Sequence, residues 1–272
     1  MQEIKRFKVN GIPNFVSRAE FAGRFVDFWA PDGGSDSIII AHDGQNIFDH
    51  RTATRLRQTW QLTQHAIRIA NQQKIRPPLV IAIFHSSTKR DPFGRILDLS
   101  PEDAFRSGIT PSNPKIEISL DDLRGNQYLE QLFGEILPTI VKRTNSVHTP
   151  ESTAMIGSSM GGLASINAFG RYAEKFHTCL ALSPHWVLAG EELVDFLISR
   201  LPNPKGRKLW MSRGTKGLDA SYEYLQNRAN QLVKKAGWDS SFTSRIYQGK
   251  RHNERAWASY VDQALEFWMR KS

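Results

Sequence analysis

Cysteine is nearly absent from this sequence. Cys179 is the only one among 272 residues, so an intrachain disulfide framework is excluded and cysteine use does not set the redox compartment. It lies in the apolar run Cys179-Leu-Ala-Leu182, as a small buried core thiol does. Long apolar runs are missing too: no stretch approaches the ~20 residues that a membrane span requires. The N-terminal Met-Gln-Glu-Ile-Lys-Arg-Phe-Lys carries neither the apolar core nor the small-residue cleavage site of a signal peptide. These absences predict a soluble, cytoplasmic protein with no membrane association. Basic runs are lacking as well, although 36 Lys and Arg stand against 27 Asp and Glu for a net charge of +9. The densest stretch carries Arg51, Arg55, Arg57, Arg68 and Lys74 at the spacing of a solvated helix face, with no alternating aromatic residues. No nucleic-acid partner is expected, and the charge reads as surface character able to steer an anionic substrate.

What is present is an ordinary globular composition, 40% hydrophobic and 10% aromatic, enough for one large α/β domain over residues 1–272. Short apolar runs alternate with amphipathic stretches of helix length, the pattern of a mostly parallel sheet covered on both faces. Ile4–Val9 and Phe21–Ala30 read as antiparallel strands at the start. Ile38–His42, Leu79–Phe84, Ala154–Ile156, Thr178–Leu182, Lys208–Met211 and Phe242–Tyr247 follow. Helices are expected near 55–73, 120–144, 160–173, 190–200, 219–236 and 254–270. The last shows Trp257, Tyr260, Val261, Ala264, Leu265 and Trp268 on one face at 3.6 spacing. Ser86 to Asn113 has little periodicity and reads as an excursion that forms a lid or a substrate wall.

The strongest local signal is Gly157-Ser-Ser-Met-Gly-Gly162, which follows one apolar strand and opens a helix of small residues. The bare Gly-x-Ser-x-Gly pattern would arise by chance about 0.1 times in such a chain, and the strand and helix flanks make it rarer. This is the context of a nucleophile elbow, with Ser159 projected from a strained turn. Ser158 is less suitable, because only Ser159 has glycine on both sides at two positions' distance. A hydroxyl needs a base, and in this architecture serine, acid and histidine follow in that order along the chain. Of the histidines after Ser159, His252 lies in a loop between the last strand and the last helix, where an imidazole can reach back.

Asp219 is the first choice for the acid that holds the imidazole; it would also serve as a helix N-cap, and Glu223 and Glu254 are rivals. The backbone amides of Met160 and of Gln45, in His42-Asp-Gly-Gln-Asn-Ile-Phe-Asp49, are the expected oxyanion donors. Asp43 is expected to tie that loop together. His185 and Trp186 are substrate-pocket candidates, with a half-buried structural role as the other reading. Arg90 is a candidate contact for a polar or anionic substrate, or an ordinary surface arginine. No metal or other cofactor is implied.

Together, His42–Asp49, Gly157–Gly162, Gly214-Thr-Lys-Gly-Leu-Asp219 and His252-Asn-Glu-Arg-Ala-Trp257 resemble the esterase D family of α/β-hydrolases. This putative-esterase group includes enterochelin esterase-like and S-formylglutathione hydrolase-like enzymes. The likeness runs from about residue 21 to the C-terminus. It implies a metal-independent serine esterase acting on a small ester, lactone or carbohydrate acyl ester, with Ser159 as nucleophile and His252 as base. Many relatives carry glutamate directly after Gly-Thr-x, where this chain has Gly217, so the acid stays open, a serine–histidine dyad included. An acyltransferase on the same site and a non-catalytic binding protein of the same fold are the alternatives.

Overall fold

The computed structural model describes residues 1–54, 57–88, 90–113 and 119–270. Its centre is a nine-stranded sheet in the order β1-β2-β3-β5-β4-β6-β7-β8-β9. The strands are β1 (Gln2–Phe7), β2 (Val16–Phe21), β3 (Arg24–Trp29), β4 (Ile38–Ala41), β5 (Leu79–Ile83), β6 (Thr153–Ser158), β7 (Thr178–Leu182), β8 (Lys208–Lys216) and β9 (Phe242–Arg251). Pairing is antiparallel from β1 through β3 to β5 and parallel from β5 to β9. This is the mostly parallel sheet expected from the alternation of runs, and the α/β-hydrolase architecture that the resemblance implies.

The continuous apolar strands follow from cover on both faces. Ile38 and Ile40 of β4 enter one core with Leu79, Ile81 and Ile83, while Ile39 and Ala41 enter the other with Val80 and Ala82. Successive side chains point to opposite faces, so burial on both faces requires an apolar residue at every position. On the second face, α1 (Leu62–Gln73) packs beside a C-terminal pair of helices. The first face carries α2 (Gly94–Leu99), α3 (Glu102–Arg106), α4 (Gly125–Gln131), α5 (Leu137–Arg143), α6 (Met160–Arg171), α7 (Gly190–Ser199) and α8 (Glu223–Lys235). The C-terminal pair is α9 (Glu254–Ala258) and α10 (Val261–Met269). Among the described residues no helix is long and apolar enough to cross a membrane.

Four expectations need correction. The segment Phe21–Ala30 is not one strand but the second half of a hairpin. Ala22 (φ 46°) and Gly23 (φ 86°) turn the chain with the positive φ values that a tight hairpin requires, and β2 precedes them. The helix expected at 55–73 begins only at Leu62, and residues 55 and 56 lie outside the described residues. The helix expected from 219 begins at Glu223, behind a 3₁₀ turn at Gly217–Tyr222. The last helix is two, broken at Ser259 and Tyr260, yet Trp257, Tyr260, Val261, Ala264, Leu265 and Trp268 are all buried.

β4 has β5 on one side and β6 on the other. Chain order therefore reverses between β4 and β6, and a crevice opens there at the carboxyl ends of the strands. The loops after β4 and β6 flank that switch point.

Candidate active site

Close approach builds the turn after β6. Ser159 sits between β6 and α6 at φ 56°, ψ −121°, a conformation that persists only when the surrounding structure over-determines it. A Cβ on Gly157 would stand 2.2 Å from the Gly161 carbonyl oxygen, and one on Gly161 would meet His42 and Asp43 at 3.1 Å. Glycine is therefore the residue that lets strand, helix and the His42 loop converge. The Ser159 amide donates to the Leu182 carbonyl at 2.9 Å, which ties the turn to the end of β7. Met160 opens α6, and the first N–H groups of a helix have no intrahelical acceptor. They face the site with the positive end of the helix dipole.

The parallel pairing of β8 with β9 aligns Lys216 with Arg251, so the segments bearing Asp219 and His252 leave the sheet side by side. His252 Nδ1 lies 2.6 Å from Asp219 Oδ1. An ionised carboxylate can only accept, so this contact selects the tautomer with the proton on Nδ1, in which the neutral ring keeps its lone pair on Nε2. Asp219 is fully buried. Its Oδ2 accepts from the Gly214 amide at 2.7 Å and from the Ser183 hydroxyl at 3.0 Å. The Trp257 indole donates in turn to Ser183 Oγ at 3.2 Å. The imidazole is walled edge-to-face by Trp257 at 5.0 Å and Tyr222 at 5.3 Å, with the His185 ring at 6.3 Å. Ser159 and His252 line one cavity of about 250 Å³, together with Asn46, Thr54, Arg95 and Glu254.

Gly214, buried beneath the carboxylate, offers a test of this contact. A Cβ there would lie 2.3 Å from the Lys250 carbonyl oxygen and 2.7 Å from Asp219 Oδ2. Gly214→Ala is expected to push the carboxylate off His252 and to lower kcat by roughly tenfold or more. Overpacking of about 1–3 kcal/mol should also lower Tm by a few degrees. Steady-state kinetics beside a thermal melt checks both, and an unchanged kcat would show that the carboxylate tolerates displacement.

The loop after β4 turns through Asp43 in the left-handed region (φ 54°) into a short 3₁₀ turn, Gly44–Asn46. Asp43 takes Arg95 in a bidentate pair at 2.6 and 2.8 Å, so its side chain ties the loop to the excursion after β5 rather than to itself. Burial works to raise the Asp43 pKa, but the Arg95 guanidinium outweighs it and holds the carboxyl below its ordinary value. Arg95 also donates to the Ser158 carbonyl at 3.4 Å. The Gln45 side chain donates to the His85 carbonyl at 3.1 Å. Asp43 and Asn46, but not Gln45, line the Ser159 cavity.

His42 is wholly buried, with Nδ1 2.6 Å from the Tyr128 hydroxyl. Burial drives its pKa down from 6.5 to about 4, Arg95 adding and Asp43 opposing. Burial likewise lowers His185 to about 4, helped by His252 and Arg95. Both rings stay neutral in the fold where the unfolded chain would protonate near 6.5. The unfolded state then binds more protons between pH 6.5 and 4, and stability falls as pH drops through that window. Tm is expected to fall by roughly 4–8 °C from pH 7 to pH 5. A flat thermal-melt series over that range would contradict the burial of these imidazoles.

The other expected residues divide. Glu223 is 66% exposed and paired with Arg213 at 2.8 Å, away from His252. Glu254 starts α9, lines the cavity, and accepts from the Thr54 hydroxyl at 3.4 Å. His185 stands beside His252 with Nδ1 on the Tyr222 hydroxyl. Trp186 is fully buried, its indole donating to Gln226 at 3.0 Å, and it does not line the cavity, so its pocket reading gives way to the structural one, in the core rather than half-buried. Arg90 is exposed outside the cavity; Arg95 is the arginine that reaches it. Arg95, Ser183 and Tyr222 are not recognisable from the sequence as site residues, although Ser183 opens the Ser-Pro-His-Trp run after β7; Gly214 is legible only as the start of the segment that carries Asp219.

Residues 26–268 match the family model described as putative esterase. The chain is 25% identical over 249 residues, 88% of both chains, to the uncharacterized protein YbbA of Bacillus subtilis (strain 168). Among solved structures it resembles the enterobactin esterase FES from Shigella flexneri, with 17% identity and a TM-score of 0.61. That match covers 98% of this chain and 59% of the other, so the chain spans about three fifths of that relative. The enterobactin and salmochelin hydrolase IroE matches at 16% identity and TM-score 0.62, covering 94% and 95%. The siderophore hydrolase EstA from Aspergillus nidulans matches at 17% and 0.62, covering 90% of each. At such identities these structures speak for the fold.

Proposed function

We propose, because the chain belongs to the putative esterase family, that this carboxylic ester hydrolase works through a Ser159–His252–Asp219 triad on a small polar ester, lactone or carbohydrate acyl ester. The observation that carries the reading is the 2.6 Å contact of His252 Nδ1 with Asp219, made by an imidazole that shares one cavity with a serine in a strained turn. Asp219 holds the tautomer, and Nε2 takes the Ser159 proton as Oγ attacks the carbonyl carbon. The amides of Met160 and Gln45 receive the charge that develops on the carbonyl oxygen. His252 returns the proton to the leaving alcohol, and water repeats the sequence on the acyl-enzyme.

The cavity also bears on the substrate. At about 250 Å³ it is below the usual range for drug-sized ligands, and Asn46, Thr54, Arg95 and Glu254 give it hydrogen-bonding walls. IroE is described as an enterobactin and salmochelin hydrolase and EstA as a siderophore hydrolase; the small polar cavity favours a short acyl group here. The test joins fluorophosphonate labelling of purified protein with a panel of p-nitrophenyl and sugar esters. Ser159 should be the labelled residue, and kcat/KM should be highest for acetyl and fall with chain length. No labelling would overturn the triad, and a preference for bulky aromatic acyl groups would overturn the substrate class.

A further inference from the structure

One polar group in contact with the site has no part in the triad. Tyr222 is fully buried in the 3₁₀ turn that also carries Asp219. Its ring packs edge-to-face on His252 at 5.3 Å, and its hydroxyl meets His185 Nδ1. Burial pushes the Tyr222 phenol above its ordinary pKa, and a hydrogen bond with the Ser159 side chain works against that rise. His185 is itself fixed to the nucleophile turn, its amide donating to the Ser159 carbonyl at 3.2 Å. The His185 ring, the Tyr222 hydroxyl and Ser159 thus form a second polar line to the nucleophile, separate from His252 and Asp219. A buried phenol has one proton to donate, and when His185 Nδ1–H donates to it, that proton is free for Ser159.

We infer that the Tyr222 hydroxyl, oriented by His185, donates to Ser159 Oγ and stabilises that oxygen as the leaving group when the acyl-enzyme is hydrolysed. This rests on the triad reading. In that step water attacks the acyl carbonyl and gives its proton to His252. The tetrahedral intermediate then collapses, the C–Oγ bond breaks with its electron pair going to Oγ, and His252 protonates Oγ. Tyr222 keeps its own proton throughout. The timing follows from differential binding. A resting serine hydroxyl is already a good acceptor, so acylation strengthens the contact little. The ester oxygen of the acyl-enzyme is a poor acceptor, so the contact strengthens as charge returns to Oγ. Tyr222 is therefore a catalytic residue of deacylation, and His185 a positioning residue that acts through it.

The experiment is burst and single-turnover kinetics with p-nitrophenyl acetate. For Tyr222→Phe the deacylation rate should fall roughly tenfold or more, the scale of a hydrogen bond to a charged group, while the acylation rate stays within about twofold. Then kcat and KM fall together and kcat/KM holds. His185→Ala should follow the same split, and His185→Asn, which keeps a donor near the Nδ1 position, should recover most of the rate. Because Tyr222→Phe leaves a buried imidazole without its partner, 3-fluorotyrosine at position 222 gives a readout independent of folding: a more acidic phenol should speed deacylation. Equal losses in both steps, a faster acylation in Tyr222→Phe, or no response to the fluorotyrosine overturns the inference. Absence of Ser159 labelling in the unaltered enzyme is a different result and removes the triad itself.

Discussion

Ser159→Ala is expected to lower kcat/KM by on the order of 10⁴–10⁶ and to abolish fluorophosphonate labelling, with the fold intact. The loss is this large because the turn presents one oxygen and nothing nearby replaces it. Ser158, adjacent in sequence, is the last residue of β6 and only 1% exposed. Its neighbour alone occupies the φ 56° corner, so Ser158→Ala should leave labelling in place. His252→Ala should reduce kcat/KM to a similar extent, since residues of such a unit lose their effect together. It should also slow labelling to the rate of an unactivated serine. What survives in either variant comes from the backbone donors and from binding. Tm tells a chemical loss from a folding loss, because alanine keeps the Cβ at the same φ of 56°, so Ser159→Ala should leave the melt nearly unchanged. Full labelling of Ser159→Ala at another residue would refute the assignment.

The residues that were legible in the sequence owe it to local rules. Gly157, Ser159 and Gly161 announce themselves because one turn needs all three, and the Ile38–Ala41 run does because two cores need every position apolar. The hairpin strand β2 was hidden by its own chemistry. Arg18 and Asp27 form a buried ion pair across the hairpin at 2.6 and 2.7 Å, which places charges where an apolar pattern is sought. Arg95 and Tyr222 were hidden for another reason: their partners Asp43 and His185 lie 52 and 37 residues away, a distance that no spacing rule spans. Asp219, the proposed acid, lies between these cases. Its position before α8 is readable, but the contact with His252 that sets it apart from Glu223 and Glu254 depends on the parallel alignment of β8 with β9.

That choice has a second large expected effect: Asp219→Asn should lower kcat by about 10⁴, although the substitution changes almost no volume. The reason lies in the far oxygen. Oδ2 receives the Gly214 amide at 2.7 Å and the Ser183 hydroxyl at 3.0 Å. A hydroxyl can turn to accept, but a backbone N–H cannot. The asparagine oxygen must therefore take the Oδ2 position, and its NH₂ group must face His252 Nδ1. That nitrogen can then only accept, so the ring proton moves to Nε2, where the lone pair for the Ser159 proton is needed. Asp219→Ala imposes no tautomer and should be no worse than Asp219→Asn. Glu223→Gln, at an exposed pair with Arg213, should change kcat within a few-fold. Kinetics of the four carboxylate variants, Glu254→Gln included, separates the candidates. An Asp219→Asn enzyme with about a tenth of wild-type kcat or more, or a Glu254→Gln enzyme as impaired as it, would return the acid to its rivals.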